Sequence, residues 1–130
     1  MFRLLFDNAG GRTMGNAMRV PAKSGESYQI GEALVITDGK ATKCSATVKP
    51  THMCVKDQAA NESETVLVYP ISSTMVFETT LTAAPDNLAV GSKVTLSADA
   101  LGVTATTASG VCEIVNMRGA GVGNLISVKF

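Results

Sequence analysis

The chain has 130 residues, 45% of them hydrophobic, and a formal net charge of zero. That apolar content excludes a mainly disordered chain, which could not offset its own ordering entropy. The basic residues are scattered and only two Tyr and four Phe, with no Trp, supply aromatic rings, so no nucleic-acid partner is expected.

One domain fits this length. The sequence holds 14 Thr, 14 Val and 5 Ile. Such β-branched side chains are stiff at χ1 and pack well on a pleated surface, so strands are favoured. No apolar run approaches the ~20 residues needed to cross a bilayer, and no membrane partner is expected. The start, "MFRLLFDNAGG", lacks a secretory apolar core of roughly 7–15 residues, so a reducing compartment is expected. Three cysteines, an odd number, then fit free thiols.

Residues 1–20, "MFRLLFDNAGGRTMGNAMRV", show neither strand alternation nor a helical stripe, and Gly10, Gly11 and Gly15 interrupt them. They read as an extended N-terminal arm ahead of a single β-domain at 21–130. The arm either docks on a neighbouring subunit or folds back as an edge strand of its own domain. A turn-rich connector, Pro21 to Ser27, leads to a hairpin in "IGEALVITDGKATKC", where Leu34 and Ile36 share one face and Asp38-Gly39 favours a primed turn. "HMCVKD" reads as a short strand. "ETVLVYPI" reads as a central strand that Pro70 should end. "TMVFETTLT" alternates again.

A second hairpin, "VGSKVTLSADALGVTAT", echoes the first. Ile30-Gly31 matches Val90-Gly91, Leu34 matches Val94, and Ile36-Thr37 matches Leu96-Ser97. "GVCEIVNM" and "LISVKF" supply further strands around a Gly-rich loop, 118–124. About eight short strands with regular turn signals and no convincing helix predict an all-β fold, a small antiparallel β-barrel or β-sandwich.

Little in the chain suggests catalysis. His52, the only histidine, shares a strand face with Cys54, but no CxxC or HxxxH spacing accompanies them. Glu62 and Glu64 read as solvated charges, and "GAGVGN" lacks the GK[ST] and the following helix of a phosphate loop. Asn61-Glu62-Ser63 matches a glycosylation sequon by chance. No catalytic residue, cofactor or metal is expected, and the protein is not expected to be an enzyme.

The segment "YQIGEALVITDGKATKCSATVKPTHMCVKD" resembles a pattern repeated in small head proteins of tailed phages, the decoration (cement) proteins and head-fibre bases. The resemblance rests on Gly31, Leu34, Ile36, Asp38, Gly39, Lys40, Thr42 and His52, with Gly91, Val94, Leu96 and Thr104 in the second copy. It implies a compact β-barrel or β-tulip on the outer face of a capsid, bridging capsomers. The implied partner is the major capsid protein, the implied state a homo-oligomer with a trimer favoured. The implied location is the capsid surface of the virion, after synthesis in the host cytoplasm. The long arm departs from the pattern.

On this reading Phe2, Leu4, Leu5, Phe6, Met14 and Met18 are the expected contact residues, Met because it adapts to irregular surfaces. The hairpin tips Asp38-Gly39 and Asp99 to Leu101 come second. A competing reading is a carbohydrate- or receptor-binding module of a phage tail or fibre, against which the scarcity of aromatic platforms counts.

Overall fold

The structure, a computed structural model, describes residues 1–9, 17–84, 87–119 and 121–130. Ten strands form it: β1 Arg3–Asp7, β2 Met18–Pro21, β3 Ala33–Thr37, β4 Lys40–Lys43, β5 His52–Cys54, β6 Thr65–Pro70, β7 Met75–Thr80, β8 Lys93–Val94, β9 Cys112–Met117 and β10 Leu125–Lys129. No helix occurs among the described residues. The strands make two five-stranded sheets, ordered β2-β6-β5-β3-β4 and β1-β7-β10-β9-β8, with every named pairing antiparallel. The all-β antiparallel expectation holds as a sandwich.

The first hairpin turns as its sequence demands. Asp38 and Gly39 both hold positive φ, 50° and 74°, and Thr37 pairs with Lys40. Two consecutive positive angles are the signature of a type I′ turn, whose twist matches that of the strands. Pro70 is the last residue of β6, where its missing N–H leaves the ladder unbroken.

The sequence echo extends to the strand pairing, where β3, β5 and β6 match β8, β9 and β10 at an offset of sixty residues. Ala33 pairs with Met53 and Leu34 with His52; sixty on, Lys93 pairs with Glu113 and Val94 with Cys112. Met53 pairs with Tyr69 and Cys54 with Val68; Glu113 pairs with Lys129 and Ile114 with Val128. The Gly31 N–H donates to the Cys54 carbonyl at 2.9 Å, and the Gly91 N–H to that of Ile114 at 2.8 Å. Isolated parallel bridges join Ala22, beside β2, to Ala41 of β4, and Leu81, beside β7, to Val103. A single bridge is not a ladder, so neither sheet closes into the barrel that was the other expectation.

The sheets do not present equivalent faces to each other. Leu34, Cys54, Val66 and Val68 of the first sheet pack beneath Tyr28 in a small cluster of their own. Their counterparts Val94, Ile114, Ile126 and Val128 lie in the larger cluster, against Ala33, Met53 and Tyr69 from the opposite face of the first sheet. Tyr28 is held over its cluster by two hydrogen bonds at its hydroxyl, which donates to the Ala41 carbonyl at 2.9 Å and accepts from the Lys23 N–H at 2.8 Å.

Residues 1–20, expected as an arm ahead of a domain from 21, contribute two edge strands in their described part. β1 is an edge strand on β7, and β2 an edge strand on β6. Phe2 is buried, with its N–H on the Gly31 carbonyl at 2.9 Å and its ring 5.4 Å from that of Phe130. Of the two possibilities for this segment, its described part takes the second. The physical reason lies at Leu5, where the register of β1 against β7 shifts between Leu4 and Phe6. A bulge adds one residue to one strand, so a true strand loses its period-two signature there.

Candidate functional site

The residues that could have carried chemistry are dispersed and quiet. His52 is half-buried on β5, with Nδ1 2.8 Å from the Thr51 hydroxyl, and burial lowers its pKa. Cys54 is buried on the same strand and its thiol is pushed up by burial, as are Cys112, to about 12, and Cys44, to about 11. A thiol held neutral is a poor nucleophile and a poor metal ligand. No group of three His, Cys, Asp or Glu among the described residues is placed to hold a metal ion. Glu62 closes a turn by accepting the Ala59 N–H at 2.7 Å. The Gly-rich loop joins the antiparallel strands β9 and β10 and so presents no helix end to a phosphate.

The surface offers more. Between β1 and the turn at Gly31 lies an apolar cavity of about 170 Å³, lined by Met1, Leu4, Ile30, Val55 and Tyr69 among others. Met1 is 55% exposed and Ile30 47%, so two large apolar side chains stand at its mouth. The groove exists because the chain start is pressed onto Gly31. A Cβ there would meet the Phe2 carbonyl oxygen at 2.6 Å and the Met1 Cβ at 2.8 Å, so only glycine admits this approach.

Around the edge of β1, Met1, Arg3, Glu78, Thr80 and Leu125 line a second hollow of about 300 Å³. The Glu78 side chain is only 6% exposed, yet it bonds to Arg3 and lies 4.0 Å from Arg118. Two guanidinium groups on one sunken carboxylate leave a cationic excess on a surface that also exposes Met1 and Leu125. Large side chains beside arginine are the composition typical of protein contacts.

The expected contact residues divide among these places. Phe6 and Met18 are exposed, on the edge strands of different sheets, and Leu4 lines the apolar cavity. Leu5 is half-buried at the bulge. Phe2 belongs to the core, with its ring beside that of Phe130. Met14 lies outside the described residues. Asp38 and Gly39 are exposed at the hairpin tip, on the sheet that does not contain β1. Ile30, Val55 and Tyr69 were not anticipated. The signal for Ile30 was present, since both it and its counterpart Val90 are apolar residues directly before a positive-φ glycine, and both are exposed. Tyr28 and Tyr69 are both buried, so neither offers a ring face to a sugar.

The sequence matches no family model and no curated protein. Among solved structures, the chain is similar to the crystal structure of the head fiber gp8.5 N base in bacteriophage phi29, with a TM-score of 0.55 and 17% identity over 88% of this chain and 93% of that one. At that identity the likeness is one of fold, and it extends over nearly the whole of both chains.

Proposed function

We propose that the protein is a non-enzymatic structural component of a tailed-phage virion that binds the outer capsid surface and strengthens contacts between capsomers. The observation that carries this reading is the fold likeness to a phage head-fibre base along almost the full chain. The surface is consistent with it: thiols held neutral by burial, and an apolar groove with exposed Met1 and Ile30 beside an arginine-flanked hollow. On this reading the partner is the major capsid protein, and Leu4, Phe6, Ile30 and Met18 contribute to contact. A homo-oligomer, with a trimer favoured, would present several such surfaces at once and convert modest contacts into firm attachment.

The test is reconstitution. The purified chain is mixed with capsids that lack it, and bound copies are counted against the major capsid protein by quantitative mass spectrometry. A fixed, saturable ratio is expected. Failure to co-sediment at saturating concentration would remove the proposal.

A further inference from the structure

The sixty-residue repeat gives the molecule two copies of one sheet face, and only one of them is covered. In the first sheet Ala33, Met53 and Tyr69 stand side by side across β3, β5 and β6 and are buried against the second sheet. Their counterparts across β8, β9 and β10 are Lys93, Glu113 and Lys129, joined in the same register. The backbone is that of a contact face, but the side chains have changed from apolar to charged. Lys129 is paired with Glu113 at 3.3 Å, whereas Lys93 and the nearby Lys49 form no ion pair with the described residues. These four residues line a cavity of about 370 Å³, with Val111 and Phe130 as apolar walls. Three cations, Lys49, Lys93 and Lys129, thus face one anion, Glu113.

We infer that this face is a docking surface for an acidic segment of a partner protein. A second copy of the same face is disfavoured, because it would bring lysines against lysines. Aspartate or glutamate side chains entering the hollow would meet Lys49 and Lys93, while an apolar residue beside them would find Val111 and Phe130. The inference deepens the virion reading by naming the chemistry of one partner surface, and it rests on the protein working by surface contact.

The probe is a ten-residue polyglutamate peptide, titrated into the isotope-labelled full chain at low salt and followed by amide chemical shifts. Saturable shifts confined to residues around Lys93, Gly110 to Glu113 and Lys129 are expected, fading at high salt. The variant Lys49→Gln/Lys93→Gln, which keeps the Lys129–Glu113 pair, should bind about tenfold more weakly at unchanged Tm. The control Lys23→Gln/Lys40→Gln should bind as the parent does. Shifts centred on Lys23 and Lys40, no saturation at low salt, or tighter binding of a ten-nucleotide thymidine oligomer at the same face would each overturn the inference. Because the titration needs no capsid, a localised response with failed reconstitution would reject the virion reading while leaving this face standing.

Discussion

Gly31 and Gly91 hold φ of +73° and +91°, a region where an added Cβ strains the backbone by about 1 kcal/mol or more. They differ in what surrounds them. A Cβ at Gly91 meets nothing within 4 Å, while one at Gly31 strikes Phe2 and Met1. Gly91→Ala should therefore cost about 1 kcal/mol and Gly31→Ala about 2–3 kcal/mol, measured as midpoint shifts in urea. Equal losses would mean that the chain start does not press on Gly31. The buried thiols make a second prediction at this scale. Burial raises Cys112 to about 12 and Cys44 to about 11, so between pH 9 and those values the unfolded chain loses protons that the folded chain keeps. The folded state binds more protons, so stability falls as pH rises through that window. The same stabilising contribution is fully present below pH 9. The variant Cys44→Ala/Cys112→Ala should show a shallower alkaline loss of Tm between pH 9 and 11.

At the scale of elements, β1 is where sequence and structure part. The alternation of β3 and the Asp38-Gly39 turn were legible because nothing interrupts their period. In "RLLFD" the bulge at Leu5 sets Leu4 and Phe6 out of step, and a strand with a broken period reads as an arm. Contact residues were sought there, and the groove's other wall was missed because Val55 and Tyr69 lie far along the chain and meet Leu4 only through the fold. Two substitutions separate core from surface at the start of the chain. Phe2→Ala removes a buried ring packed on Phe130 and should cost about 3 kcal/mol or more in chemical unfolding. Phe6→Ala, at a residue 49% exposed, should cost less than about 1 kcal/mol. A large loss at Phe6 with none at Phe2 would reverse the assignment of Phe2 to the core and Phe6 to the surface.

At the scale of the whole molecule, the repeat was visible in part. Gly31 and Gly91, Leu34 and Val94, and Ile36 and Leu96 stood out because turns and inward positions tolerate few side chains. The match at Tyr69 and Lys129 or Met53 and Glu113 was invisible, since the two members face opposite environments and share only backbone position. That divergence has a physical consequence. If Lys93, Glu113 and Lys129 carried the residues of their counterparts, the second sheet would expose the same apolar face that the first sheet buries, and exposed apolar surface of that kind drives association. The triple variant Lys93→Ala/Glu113→Met/Lys129→Tyr leaves the inward-facing Val94, Ile114 and Val128 untouched, so the fold should persist. Its weight-average mass in sedimentation equilibrium should rise above that of the parent chain at equal concentration, with an unchanged far-ultraviolet spectrum. An unchanged mass would mean that the two faces are not equivalent surfaces, and that the charges on the second one are not what keeps it free.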